Sequence, residues 1–521
     1  MCIHVYYDIT LKEIKRIISK LNDYKATYDE IPVCIFKLCP DSIFATLTDL
    51  MNKCIKGGIM PTVLKKSKII PIHKKGSRQN VNNYRPITLL SYIDKILEKA
   101  MYSRLYSYLN KMNYICPNQF GFREHHSTEL AVVSMLERSY RAIEERQWIL
   151  LITMDFQKAF DVIRHDILLY KLYNAGIRGK ILDWFKSYLE NRQHRTLVND
   201  MLSYSLVTKT GVPQGSSLGP LLFLIYINDI KNIFDTDEIN IFADDSALIL
   251  KSQQLKLLFN KANQKMSILH DFLKSNGIKL NESKTEYMIV SPNRPVPKHD
   301  MDVFYNNVKI KEVNSIKLLG VHIDNRLSFN KHSENLVCKR LRKYIPILLQ
   351  LRKYLSIGHL LKIYHANINS LISYCIMAYH TGNLMNIKKI RCMQQRILKI
   401  IFKIHSSELD IYMKKYGLLD VTEVYKYKLL CTGHKMVHNR HALPQYLQNV
   451  YQNKEDLNLR NKANFIVPFH RLTITQNSID YKVAHVWNKL PIEIKTITRH
   501  NLFNKKLKKI IVNGFFKEAI T

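Results

Sequence analysis

The sequence predicts an α+β fold, and three features carry that reading. Short apolar runs bounded by turn formers, at 69–72, 149–154, 239–242 and 247–250, have the length of strands. Longer stretches between them repeat apolar residues at helical spacing, as over 93–109 and 254–275. From about residue 333 the strand-like runs stop and the chain turns helical and basic.

Taken in order, residues 1–60 read as helical, with Ile14, Ile17, Ile18 and Leu21 on one face. The strand at 69–72 runs into a basic turn of Lys74, Lys75 and Gly76. An extended piece over 83–91 follows, in which Pro86 keeps Arg85 out of a helix. The helix over 93–109 carries Ile96, Leu97, Met101 and Leu105 on one side, and another starts near Ser127. The run 149–154 is a buried strand ending on Asp155. Amphipathic helices are expected at 163–172, stopped by Gly176, and at 181–189. Gly211, Gly215 and Gly219 then bracket a Pro-Gln-Gly-Ser-Ser turn ahead of an apolar segment, 221–230. Residues 238–252 read as strand–turn–strand with Asp244 and Asp245 at the tip. Beyond the long helix at 254–275, stopped by Gly277, 278–281 and 285–290 read as two strands flanking Lys284, and 316–323 as a strand pair bent at Gly320. A basic helix over 336–355 is kinked by Pro346. Helices continue to about 445, and a tail that is polar from Asn453 ends in a basic helix.

Composition narrows the function. The 521 residues carry 79 Lys+Arg against 43 Asp+Glu, a net charge of +36, with 46% hydrophobic content. That is enough apolar material for two or three domains, and so basic a balance points to a polyanionic partner, nucleic acid or an anionic membrane surface. The best apolar run, 221–227, has seven residues, against about 20 for a membrane span. The opening MCIHVYYDIT lacks the pattern of a secretory signal, and nine scattered cysteines without a CxxC pair read as reduced thiols. An intracellular protein, nuclear or cytoplasmic, with no membrane partner is expected.

Several side chains offer chemistry. An acid at the end of a buried strand, such as Asp155, needs a cation or donor to meet it, unless it is only a cap or turn residue. Asp244-Asp245 is either a solvated turn or a carboxylate pair. Lys74 and Arg85 on one lobe suit a triphosphate, or are plain surface cations. The glycine-bracketed loop lets backbone approach a flat ligand. It is not a P-loop, because no Gly-Lys-Ser/Thr closes it, and it lacks a dinucleotide fingerprint. Cys431, His434, His438 and His441 share helical spacing, but structural zinc draws ligands from two elements, so ordinary surface histidines are expected there.

In combination these stretches resemble a known family. MDFQKAFD at 154–161, GVPQGSSLGPLLFLIYINDI at 211–230 and FADD at 242–245 resemble the palm of reverse transcriptases. The likeness is to non-LTR, LINE-type retrotransposons of the jockey-like kind. IIPIHKKG, NYRPITLLS, QFGFREHHST, NGIKLNESKT and KLLGVHID support it in the family's order, over about 60–325. The resemblance implies a right-hand polymerase with fingers, a palm with an antiparallel sheet, a helical thumb and a helical C-terminal region. The expected divisions are a helical extension at 1–53, fingers and palm at 54–325, thumb or connection at 326–445, and a basic tail region at 446–521.

By the same resemblance, the reaction is attack of a primer 3′-OH on a dNTP, directed by an RNA template, with two Mg²⁺ ions or Mn²⁺ in their place. Asp155, Asp244 and Asp245 would be the catalytic metal-binding acids, Asp244 the direct ligand of the pair and Asp245 more peripheral. Lys284 would protonate the leaving pyrophosphate. Lys74 and Arg85 would hold the triphosphate, Phe160 would bar a 2′-OH, and Gln214 and Gly215 would bed the template–dNTP pair. Where the family has a Lys-x-x-Gly-x-Asp-like segment this chain reads Lys25-Ala26-Thr27-Tyr28-Asp29, without the glycine. No endonuclease or ribonuclease H pattern is found in the sequence, so a truncated or remnant copy is expected. An inactive, nucleic-acid-binding remnant is the alternative reading. An RNA-dependent RNA polymerase or maturase is disfavoured by Ala243 before the acid pair.

Overall fold

The computed structural model describes residues 7–23, 27–291, 295–448 and 463–516. Lys25 and Ala26 of the departing segment, and the start of the polar tail at Asn453, lie outside the described residues. The chain divides into two units that alternate along the sequence.

The first unit comprises residues 1–122, 156–234 and 268–281. Helix Leu11–Ser19 starts on Thr10, whose hydroxyl accepts from the Glu13 amide, and buries Ile14, Ile17 and Ile18. Helix Asp41–Gly57 ends at Gly58, which adopts φ +70° as a left-handed cap. Helix Tyr92–Lys111 is capped by Ser91 and buries most of its length. The sheet of this unit pairs strand Lys66–His73 antiparallel with Tyr84–Leu89, in the register Ile72 to Arg85 and Ile69 to Thr88. On its other edge Lys66–His73 runs parallel to Gln193–Val198, which pairs in turn with Met201–Leu202 and Leu206–Val207. Helix Gly219–Ile227 is buried on every side, as its unbroken apolar sequence requires.

The second unit comprises residues 123–155, 235–267 and 282–521. Its five-stranded sheet has the order Lys311–Glu312, Glu286–Val290, Trp148–Asp155, Asp245–Ser252, Ile239–Phe242. All pairings are antiparallel except the first. Trp148–Asp155 is central, and Ile149, Leu150, Leu151 and Ile152 are buried on both faces, which explains its continuous apolar run. Helix Thr128–Glu144 packs on this sheet. From residue 332 the unit is helical, and Trp487 near its end is fully buried. Glu144 accepts the Arg471 amide at 2.7 Å and the Thr475 hydroxyl at 2.5 Å, and Glu137 accepts the Ile479 amide at 2.6 Å. The C-terminal segment is therefore fastened to helix Thr128–Glu144 by two carboxylates.

The α+β class read from the sequence holds. One local expectation changes. Residues 278–281 make an isolated bridge, Leu280 to Phe156, instead of a strand, with the Gln157 amide donating to Lys279 O and its Nε2 to Leu280 O. The strands between 193 and 207 had no clear signal in the sequence, since their side chains are exposed and mixed in polarity. Among the described residues no helix is long and apolar enough to cross a membrane.

Candidate active site

In the second unit, Trp148–Asp155 and Asp245–Ser252 pair along their whole length, and the last register pair is Asp155 with Asp245. Residues directly opposite in an antiparallel ladder share a face, so both carboxylates leave the same side of the sheet. Ile239–Phe242 and Asp245–Ser252 are joined by a two-residue turn, Ala243-Asp244, with Phe242 opposite Asp245. Ala243 has φ +57°. A non-glycine residue there costs about 1–2 kcal/mol, and it is held in place by burial, at 4% exposure. Asp155 and Asp244 are half-buried and Asp245 is exposed. The sequence singled out Asp244 over Asp245, whereas the ladder sets Asp245 directly across from Asp155.

Lys284 lies in the short turn Glu282–Lys284, ahead of strand Glu286–Val290. Its Nζ stands 2.5 Å from Asp155 Oδ2. An ammonium at this strand end answers the charge of closely set carboxylates, which repel one another until a cation joins them. Among the described residues no group of three or more His, Cys, Asp or Glu side chains is arranged to hold a metal ion unaided. Oxygen donors of this kind suit a hard divalent cation that takes one or two carboxylates and completes its shell with water or substrate oxygens.

The first unit carries the other sequence-selected residues. The glycine loop is fixed by backbone bonds. The Gly211 amide donates to Ile163 O at 2.7 Å, the Val212 amide to Phe160 O at 2.9 Å, and the Thr88 amide to Gln214 O at 2.7 Å. Gly215 has φ +130°, and a β-carbon there would stand 2.6 Å from Thr88 O. Only glycine allows this approach. Gln214 Nε2 donates to Asp161 Oδ1 at 2.8 Å. Phe160 is half-buried, its ring 5.0 Å from Phe223 at 32° and 6.2 Å from Phe122 edge-on. Arg85 and Lys74 are exposed, Arg85 on strand Tyr84–Leu89 and Lys74 just past Lys66–His73, where its amide donates to Asn83 O. The sheet thus gathers Lys74, Arg85, Gln214 and Gly215 in one unit, and the register gathers Asp155, Asp244, Asp245 and Lys284 in the other.

Asp161 was not singled out from the sequence. Burial raises its carboxyl, and the hydrogen bond from Gln214 opposes that rise. Its signal lay in the second acid of MDFQKAFD. The histidine cluster resolves into packing. His434 is fully buried instead of lying on the surface, with Nε2 2.7 Å from Ile497 O, and His438 Nε2 is 2.8 Å from Lys495 O. A carbonyl partner fixes the proton on Nε2, leaving His434 Nδ1 as acceptor for His500 Nδ1 at 3.0 Å. Burial lowers the His434 pKa to about 4, so the ring stays neutral.

Residues 72–323 match the family model described as reverse transcriptase (RNA-dependent DNA polymerase), and the chain carries a domain of that family. Beyond that segment, the chain is similar to RNA-directed DNA polymerases of jockey-like mobile elements. It is 27% identical over 441 residues to the RNA-directed DNA polymerase from mobile element jockey of Drosophila melanogaster, covering 81% of this chain and 48% of that protein. It is 26% identical over 398 residues to the probable RNA-directed DNA polymerase from transposon X-element of Drosophila melanogaster, covering 75% and 43%. The chain spans about half the length of the curated relatives it matches. Among solved structures, apo telomerase from Candida Tropicalis is similar at a TM-score of 0.40 and 16% identity, over 72% of this chain and 64% of that one.

Proposed function

We propose that the chain is an RNA-directed DNA polymerase that extends a DNA primer on an RNA template with dNTPs. The observation that carries this reading is the register pairing of Asp155 with Asp245 beside the Ala243-Asp244 turn, inside the segment that matches the reverse transcriptase family. The net charge of +36 suits a nucleic-acid partner.

In this reading Asp155, Asp244 and Asp245 would hold the divalent metal, Mg²⁺ or Mn²⁺. Bound there, two ions would activate the primer 3′-OH and neutralise charge on the leaving pyrophosphate. Lys284, paired with the Asp155 carboxylate, would give its proton to the leaving pyrophosphate. Lys74 and Arg85 grip the triphosphate as point charge and fork. Phe160, backed by Phe223, would present its ring as a bar to a ribose 2′-OH. Gln214 and Gly215 bed the nascent base pair, with Gln214 held by Asp161. In this reading residues 54–325 are fingers and palm and 326–445 the thumb or connection, with 1–53 a helical extension and 446–521 a basic tail region.

The experiment is extension of a DNA primer on an RNA template by purified full chain with Mg²⁺. Incorporation that needs RNA template, dNTPs and metal supports the reading. Tight, salt-sensitive binding without extension supports an inactive binder instead.

A further inference from the structure

Helix Tyr92–Lys111 carries two acids on a side that would otherwise be apolar. Asp94 and Glu98 are each 0% exposed. Asp94 is explained by Arg192, whose Nη2 is 2.9 Å from its Oδ2. Glu98 has a different pair of partners. Its Oε1 accepts the Tyr188 hydroxyl at 2.6 Å, and its Oε2 accepts the Ser217 backbone amide at 2.7 Å. Ser217 is two residues past Gly215, in the loop assigned to the nascent base pair.

The direction of the bonds around Glu98 is forced. Ser216 Oγ accepts the Leu218 amide at 3.0 Å and the Gly219 amide at 2.9 Å. With both lone pairs engaged, its own proton goes to the Tyr188 oxygen, 3.1 Å away. The Tyr188 proton must then go to Glu98. A carboxylate is the side chain that receives donors on both oxygens. A glutamine of the same size would turn an NH₂ toward either the Tyr188 hydroxyl or the Ser217 N–H, and one buried donor would be stranded. Tyr188 is itself fixed, fully buried and stacked on Trp184 at 5.5 Å, with the Arg192 guanidinium 4.7 Å from its ring.

We propose that Glu98 is a positioning residue for nucleotide selection, acting through Ser217 and Ser216 to hold the Gln214–Gly215 bed at fixed height. Thr88 clamps the bed from one end, at Gln214 O, and Glu98 clamps it from the other. The proposal rests on the polymerase reading for its effect on dNTPs, and on geometry alone for the clamp.

The test uses the full chain and three variants: Glu98→Gln, Tyr188→Phe and Asp94→Asn. Glu98→Gln should raise the KM for dNTP about tenfold, with kcat within about twofold, and should speed amide exchange at 216–219. Tyr188→Phe leaves the Ser217 bond in place and should give a smaller rise. Asp94→Asn removes the charge that faces Arg192 and leaves both Glu98 acceptor bonds in place. It should lower the melting temperature while KM and exchange at 216–219 stay at parental values. Equal KM changes in Glu98→Gln and Asp94→Asn, or parental KM and exchange in Glu98→Gln, would overturn the proposal. A parent chain that extends no primer sinks the polymerase reading, and the exchange rates at 216–219 then decide the clamp alone.

Discussion

Asp155 faces Asp245 as the last register pair of two full-length partner strands, and Lys284 sits on Asp155 with its Nζ 2.5 Å from Oδ2. If Asp155 holds metal as proposed, the lysine competes with it for one oxygen. The pair is part-exposed, at 52% and 28% for the two side chains, so the competition is modest. Lys284→Met should reduce the Mg²⁺ needed for half-maximal extension by about two- to fivefold, while turnover falls through loss of the proton donor. A Mg²⁺ titration checks this. Unchanged metal dependence would remove Lys284 from the site.

Phe160 rests against Phe223 at 5.0 Å and is braced edge-on by Phe122. Trimming the ring opens space without disturbing the backbone bonds of the loop. Phe160→Val should cut discrimination against ribonucleotides by about tenfold or more, with a small drop in melting temperature. Competing dNTP and rNTP incorporation measures it. Retained selectivity would leave Phe160 as core packing only.

Gly215→Ala would bring a β-carbon to 2.6 Å from Thr88 O at a backbone φ of +130°. The conformation is strained for alanine whatever the space, at about 1–3 kcal/mol. The loop should shift off Thr88, lowering both thermal stability and dNTP affinity. A variant with parental melting temperature and KM would show that the close approach is not needed.

These positions also show how far the sequence could be read. The acids were legible because a buried strand that ends on a carboxylate breaks the apolar pattern, as at Asp155. The glycine loop was legible as composition, and its reason was not: the approach of Gly215 to Thr88 O joins residues far apart in the chain. The preference for Asp244 over Asp245 came from the family resemblance, and the pairing of Asp245 with Asp155 is a matter of register that no local stretch of sequence shows. Asp94 and Glu98 stood on a helix face with Met101 and Leu105, yet nothing in the sequence named Arg192, Tyr188 or Ser217 as their partners. The fastening of the C-terminal segment by Glu137 and Glu144 spans more than 300 residues and left no local trace.

That fastening carries a pH dependence. Burial, with the charge of Asp480 adding to it, pushes the Glu137 carboxyl up to about 8 from its ordinary 4.5. The unfolded chain releases this proton near pH 4.5 and the folded protein holds it to about pH 8. The stabilisation is therefore fully present below pH 4.5 and is lost as pH rises through 8. Glu137→Gln keeps an acceptor for the Ile479 amide and cannot ionise. It should melt higher than the parent at pH 8.5, by about 2–4 °C, and close to it at pH 5. Melting curves at the two pH values test the sign. A variant less stable at pH 8.5 would contradict it.

The most direct test of the site is single-nucleotide extension of a DNA primer on an RNA template, comparing the parent with Asp155→Asn and Asp245→Asn. The parent should extend with Mg²⁺, and each variant should lose about 100-fold or more in rate while retaining RNA binding and melting temperature. Variants that extend at the parental rate would contradict a catalytic site at the Asp155–Asp245 strand ends.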